Sequence, residues 1–272
     1  MKNLIAGNIA RYRKELKLTQ EELGKMLDVT FQAVSKWETE QAMPDITLLP
    51  RLAEILRISV DKLLGYRAFD PPASFLDEMY GREEYYGGVN PSPECLRVIA
   101  LMPPGNRLSL LEIACGEGRD AVFFARCGYE VSATDLSVNG IEKTKRLAEK
   151  ARVPVNAFRA DIFDYRLDRM YDIIYSRGVF QFIKPELRGE IIEDYRKHTN
   201  TGGINAFSAG VMKPFTAPIP DIGVPSYPWR SGELLTYYHD WLVEGFTEYI
   251  DECKPGHRYG HAFNQIYARR LA

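Results

Sequence analysis

LLEIACGEGRDA, Leu110 to Ala121, is an apolar run that breaks into a turn on Gly116 and Gly118 and then resumes with helical spacing. A strand, a glycine turn and a helix in that order is how a parallel α/β sheet offers backbone amides to a small ligand. The same rhythm continues outward. "LSLLEIA" is followed by a helix to Cys127, "YEVSATD" by a helix over Gly140–Lys150, then come "VNAFRAD", "YDIIYS", a helix near Pro185–Lys197, and "INAFSA". Alternating strands and helices predict a doubly wound α/β domain with its ligand at the carboxyl ends of the strands.

The turn satisfies a loose G-x-G-x-x-A pattern, which alone would suit NAD. Glu112 argues against that: a carboxylate on the strand feeding the turn would repel a bound pyrophosphate. S-Adenosylmethionine carries an ammonium and a sulfonium and no phosphate, so an acid there helps. Asp135, ending the next strand, can accept from two ribose hydroxyls. Asp161, after the third strand, can accept from an adenine amino group, with Ile162 giving backbone and apolar contact. The expected cofactor set is Tyr80, Tyr86, Glu112, Gly116, Gly118, Asp135, Leu136, Asp161, Ile162 and Ser176.

Residues from about 75 to 270 resemble the class I S-adenosylmethionine-dependent methyltransferases, which implies a Rossmann-like fold. Within that class "MYGREEYYGGVNPSPE", "CGEGRDAVFFARCGYEVSATDLS", "YDIIYSRGVFQFI", "TGGINAFSA" and "GELLTYYHDWLV" resemble the tellurite-resistance and thiol methyltransferase branch. In that branch the segment before the first strand folds over the cofactor, which implies Tyr80, Tyr85 or Tyr86 against the sulfonium or the adenine. An aromatic face there can make a cation–π contact. The resemblance also implies that His257 and Arg258 line the substrate pocket.

The first residues read differently. From Leu4 to Leu64 the apolar residues recur at helical spacing across five short segments. Thr19 with Glu22 forms a capping box, and "QEELGKML" puts Leu23, Met26 and Leu27 on one face. Thr30 caps "FQAVSKWE", where Val34 and Trp37 face inward and Phe31, Gln32, Ser35 and Lys36 outward. Two short helices around a three-residue turn are a helix-turn-helix. "LTQEELGKMLDVTFQAVSKWETEQAMPDITLLPRLAEILRISVDKLL" resembles the phage-repressor-type helix-turn-helix regulators. That resemblance implies a phosphate contact from Gln20 and base reading by Phe31, Gln32, Ser35 and Lys36 on double-stranded operator DNA, with the cap Thr30 also in the DNA-binding set. Because one short recognition helix reads only a few base pairs, a homodimer is expected.

The expected organisation is therefore an all-α helix-turn-helix domain over 1–66, a Gly/Pro-marked linker over 67–78 and the α/β domain over 79–272. The 272 residues carry a net charge of −2, so any DNA contact must be local. Residues 1–66 hold ten Lys/Arg against nine Asp/Glu. No apolar run is long enough to span a bilayer, and no signal peptide is recognisable, which points to the cytoplasm. Cys95, Cys115, Cys127 and Cys253 form no CxxC pair, and His257 and His261 sit in a Gly/Pro loop, so no metal is expected.

"SRGVFQF" lacks the Asn/Asp/Ser-Pro-Pro-aromatic signature of base amino methylation, and there is no Pro-Cys nucleophile. The pocket instead offers cations and aromatic surface: Arg177, Trp229, Arg230, Tyr238, His239, His257, Arg258 and His261. Arg177, Arg230, His257 and Arg258 are the expected catalytic set, holding a small soft or anionic acceptor such as a tellurite- or selenite-like oxyanion or a thiol. Two other functions stay open: a small-molecule sensor that alters DNA affinity without turnover, and a small-molecule O-methyltransferase.

Overall fold

The computed structural model describes residues 4–65, 75–105, 107–219, 223–251 and 260–272, and the chain divides into two compact units, 1–70 and 71–272.

The first unit contains α1 (Leu4–Glu15), α2 (Gln20–Leu27), α3 (Phe31–Glu38), α4 (Leu49–Ile55) and α5 (Val60–Leu64), with a single 3₁₀ turn over Ile46–Leu48. The capping box forms reciprocally: the Glu22 amide donates to Thr19 Oγ1 at 3.1 Å and the Thr19 amide to Glu22 Oε2 at 2.7 Å. Each closes a backbone donor that the helix start would leave unpaired. Thr30 accepts from the Ala33 amide at 3.3 Å and starts α3. Leu23, Leu27, Val34, Trp37 and Leu52 fill the core, together with Ile5 and Ile9. Met26 departs from the expected inward face and is exposed. Arg13 donates to both carboxylate oxygens of half-buried Glu38, at 2.6 and 2.9 Å, tying α1 to the end of α3.

The second unit opens with α6 (Phe75–Tyr80), which starts inside the stretch expected as linker. It continues through α7 (Glu94–Leu101), β1 (Ser109–Ile113), α8 (Arg119–Cys127), β2 (Glu130–Asp135), α9 (Val138–Ala151), β3 (Val155–Arg159) and β4 (Tyr171–Arg177). α10 (Pro185–Lys197), β5 (Thr199–Val211), β6 (Leu242–Ile250) and β7 (Ala262–Arg269) complete it. The sheet order is β3-β2-β1-β4-β5-β7-β6. β1 to β5 run parallel, while β7 is antiparallel to both β5 and β6. The sheet is thus mixed rather than wholly parallel, the last two strands being the part that alternation did not foretell.

β1 is buried on both faces because α7, α8 and α9 cover one side and α10 with the segment around Trp229 and Tyr238 covers the other. Burial on both faces is why the strand reads as a continuous apolar run. Strand order reverses between β2-β1 and β1-β4, and the crevice beyond their carboxyl ends is where a doubly wound sheet binds its ligand. Among the described residues no helix is long and apolar enough to cross a membrane.

Candidate active site

The glycine turn leaves β1 through three residues in the left-handed region, Ala114 and Gly116 at φ 56° and Gly118 at φ 83°. Gly118 has a second reason to lack a side chain: a Cβ there would lie 2.5 Å from Thr144 on α9. At Gly140 a Cβ would lie 2.7 Å from the Gly116 carbonyl, so the turn and α9 meet backbone to backbone.

Two adjoining cavities open at this edge. One, of about 200 Å³, lies over β2 and β3 and is lined by Asp135, Leu136, Asp161, Ile162 and Phe163 among others. The other, of about 380 Å³, runs from the glycine turn toward β6 and β7 and is lined by Glu112, Tyr86, Arg119, Gln181, Ser208, Tyr249, His261 and Phe263 among others. Tyr80, Ala114, Arg177, Gly178 and Phe182 line both and make one bipartite cleft.

Its acids are set in different ways. Asp135 Oδ2 accepts the Gly116 amide and Oδ1 the Ser137 amide, each at 2.8 Å, so this carboxylate holds the turn in place. Burial still pushes its carboxyl above the usual range, against those amides. Glu112 is 4% exposed and its Oε2 finds no partner among the described residues. Burial raises its carboxyl well above the ordinary value, with Asp120 adding repulsion. Asp120 is fully employed, accepting from the Ser92 amide (2.7 Å), the Ser92 hydroxyl (2.5 Å) and Tyr175 (3.0 Å). Asp161 accepts the Phe163 amide at 3.0 Å in a tight Asx turn.

A strap covers the cleft. α6 is pinned to the start of α9 by the Ser137 hydroxyl, which donates to Asp77, and by Asn139, which donates to the Asp77 carbonyl at 3.0 Å. The Tyr80 ring lies against Gly116 and Gly140, 6.5 Å from the Tyr86 ring. Burial drives the Tyr80 phenol strongly upward, so it stays a neutral hydroxyl.

Arg177 stands at the junction of the two cavities, but it is not an unpaired cation. Its Nε donates to Glu94 Oε1 at 3.1 Å, and Tyr249 donates to the same oxygen at 3.1 Å. Burial, which would lower the guanidinium, is outweighed by Glu94. Two expectations fail. Arg230 is exposed and lines neither cavity; its backbone amide donates to Glu233 at 2.9 Å. Ser176 is buried and spends its hydroxyl on the Ile113 carbonyl at 2.9 Å, so it also lines neither. Trp229 and Tyr238 belong to the core, and His239 is exposed. His257 and Arg258 lie outside the described residues, whereas His261 does line the cleft. The thiol of Cys115 is pushed well up by burial and that of Cys95 is raised too, which suits inert packing rather than nucleophilic chemistry.

In the first unit, Phe31, Gln32 and Lys36 are exposed on α3, with Ser35 half-buried and Thr30 at the cap. Gln20 begins α2, and one N–H of its carboxamide donates to Glu38 at 2.8 Å, which leaves a phosphate the second N–H and the backbone amide.

Residues 78–270 match the family model described as Tellurite resistance protein TehB, which is more than half the chain. The chain belongs to the TehB family. Residues 9–63 match a helix-turn-helix model. The probable S-adenosyl-L-methionine-dependent methyltransferase TehB of Haemophilus influenzae is 30% identical over 164 residues, 60% of this chain and 56% of that protein. Hemagglutinin 1 of Eikenella corrodens is 31% identical over 140 residues, 52% of this chain and 46% of that one. The chain therefore spans about half the length of these relatives. The crystal structure of TehB from Haemophilus influenzae superposes with a TM-score of 0.57 at 25% identity, covering 72% of this chain and 65% of that one. The fold is shared more widely. The N-methyltransferase NodS of Bradyrhizobium japonicum, solved with S-adenosyl-l-homocysteine, superposes at TM-score 0.55 with 12% identity over 72% of this chain and 97% of its own.

Proposed function

We propose that the chain is an S-adenosylmethionine-dependent methyltransferase of the TehB family, fused to a helix-turn-helix unit that binds operator DNA. The observation that carries the enzyme reading is Glu112: a buried carboxylate with one oxygen that finds no partner among the described residues, on the strand that feeds the glycine turn. A buried carboxylate oxygen left without a hydrogen bond is costly, and a cationic ligand brought against it offsets that cost. The family relationship adds to this, since the Haemophilus relative is described as a probable S-adenosylmethionine-dependent methyltransferase.

The chain's residues fit this cofactor in distinct roles. Glu112 and the glycine turn take the methionine end, Asp135 the ribose, and Asp161 with Ile162 the adenine in the smaller cavity. Tyr80 and Tyr86 close over them. The cofactor supplies a methyl group already activated on a sulfonium, so what remains for the protein is to hold an acceptor in line and exclude water. His261 lines the acceptor half beside Tyr249 and Arg177, the latter two held by Glu94, and the acceptor we propose is a small soft or anionic nucleophile: an oxyanion of the tellurite or selenite kind, or a thiol. Such acceptors need little general-base help near neutral pH. The helix-turn-helix unit sustains a second reading, in which cofactor or acceptor occupancy changes DNA affinity. Production of S-adenosylhomocysteine only when selenite or a small thiol is added separates an enzyme from a pure sensor.

The Glu112 reading has a pH signature. With its pKa raised, the free chain holds a proton at pH values where an exposed glutamate is ionised, and this contribution to stability is lost as pH rises through the raised pKa. A cation placed beside it lowers that pKa again, so binding should release a proton and tighten with rising pH. Calorimetry of S-adenosylmethionine in buffers of different ionisation enthalpy should detect this release, and Glu112→Gln should abolish it. Release that survives the substitution unchanged would assign the proton elsewhere.

For the DNA reading, one short helix reads only a few base pairs, so two copies on a two-fold site are proposed. The near-neutral charge of residues 1–66 makes single-copy affinity modest. Footprinting should show two protected half-sites about one helical turn apart, lost in a Gln32→Ala, Lys36→Ala variant. Protection without sequence preference would contradict this.

A further inference from the structure

Lys143, on α9, is 2% exposed and lines neither cavity, yet it is wired to the strap. Its Nζ donates to Glu117 Oε1 at 2.7 Å and to the Glu84 carbonyl at 2.6 Å, and it lies over the Tyr85 ring at 4.9 Å. Glu117, 5% exposed and flanked by the two glycines of the turn, uses Oε2 to accept the Gly87 amide at 3.1 Å. Arg119, on the other side of Gly118, donates to the Gly87 carbonyl at 2.7 Å. Both backbone groups of Gly87 are thus gripped by side chains that bracket Gly118. Gly87, Gly88 and Tyr86 form a wall of the larger cavity.

We propose that the buried Lys143–Glu117 pair is a latch that makes strap docking and the shape of the glycine turn one cooperative unit, and that Lys143 is a positioning residue for the cofactor. A buried ion pair is a poor source of net stability, because desolvating two charges offsets their attraction. Its geometry here is better explained by register. A lysine with three donors can meet the turn, through Glu117, and the strap, through Glu84, at once, which an apolar residue of the same volume cannot. Glu117 cannot move with the turn without releasing Gly87 and stranding Lys143. Opening the strap therefore perturbs the turn, and a ligand that needs the turn also holds the strap. The identity of that ligand rests on the function proposed above; the coupling does not.

The test compares wild type, Lys143→Met and the double variant Lys143→Met, Glu117→Gln, which leaves no unpaired buried charge. Each is measured by amide hydrogen exchange over residues 80–88, by thermal melting and by calorimetry with S-adenosylhomocysteine. The expected result for both variants is faster exchange in the strap, about tenfold, with unchanged exchange in β1, β4 and β5, and about tenfold weaker cofactor binding. The double variant should recover melting temperature but not affinity. If it folds with strap exchange and affinity within twofold of wild type, the pair is structural filler and the latch is wrong. Lost affinity with an unchanged strap would equally overturn it, since Lys143 would then act on the turn alone. If wild type binds no S-adenosylhomocysteine, the cofactor reading fails, while strap exchange in the variants still decides the latch.

Discussion

Asp135→Ala should abolish measurable S-adenosylmethionine binding at concentrations that saturate the wild type. The carboxylate has two tasks. On the function proposed here it accepts from the ribose hydroxyls, and it already accepts the Gly116 and Ser137 amides that shape the turn. Hydrogen bonds to a charged group are each worth about 1.5–3 kcal/mol. Losing two to the ligand costs about 3 kcal/mol or more, which is a weakening of about 100-fold. Loosening of the turn adds to that. Asp135→Asn is the milder variant, because the amide oxygen can still accept one of the two backbone donors while the other is left facing an NH2 group, so its losses in affinity and in melting temperature should both be smaller than those of Asp135→Ala. An Asp135→Ala chain that binds within threefold of wild type would remove this residue from the site. Binding is read by calorimetry at fixed pH, since burial raises the Asp135 carboxyl and makes the comparison pH-sensitive.

The second large effect is expected at Gly118. An alanine there meets both a left-handed backbone at φ 83° and a Cβ placed 2.5 Å from Thr144, which is itself fully buried. The left-handed conformation alone costs about 1–2 kcal/mol and overpacking about 1–3 kcal/mol more. A total of about 3 kcal/mol corresponds to a fall of about 6–12 °C in Tm for a unit of this size. The overlap is specific, so Thr144→Gly in the same chain should return part of the loss, making the two substitutions clearly less than additive. Simple additivity would place the strain elsewhere.

These residues were legible because chemistry and geometry coincide in them. Leu110, Leu111 and Ile113 are buried on both faces of a parallel sheet, so β1 appears as an apolar run, and a turn that abruptly follows needs glycine. Glu112, Asp135 and Asp161 sit at successive strand ends and line the cleft for the same topological reason. β6 and β7 were not legible. β6 is the sheet edge, half-exposed along most of its length and carrying Glu244, Thr247 and Glu248, so it has neither an apolar run nor clean alternation. Tyr249 and Phe263, which those strands bring to the cleft, were missed with them.

Lys143 was missed because "IEKTKR" reads as the solvated face of a helix, and only the strap folding over it turns that face inward. Glu94 was missed for a like reason, as its partner Arg177 is remote in sequence. Ser176 lines neither cavity because its place near a strand end does not say which way its hydroxyl is engaged, and Arg230 lies exposed in the segment between β5 and β6, where residue type alone does not say what it faces. Gln20 illustrates the same limit in the first unit, where a long-range bond to Glu38 engages one N–H of the carboxamide.

The proposal that the acidic cleft takes a cation rather than a pyrophosphate is tested most directly by parallel calorimetric titrations of the full chain with S-adenosylmethionine and with NAD. The prediction is saturable one-to-one binding of S-adenosylmethionine, lost in Asp135→Ala, and NAD binding at least 100-fold weaker. Tighter binding of NAD than of S-adenosylmethionine would contradict it.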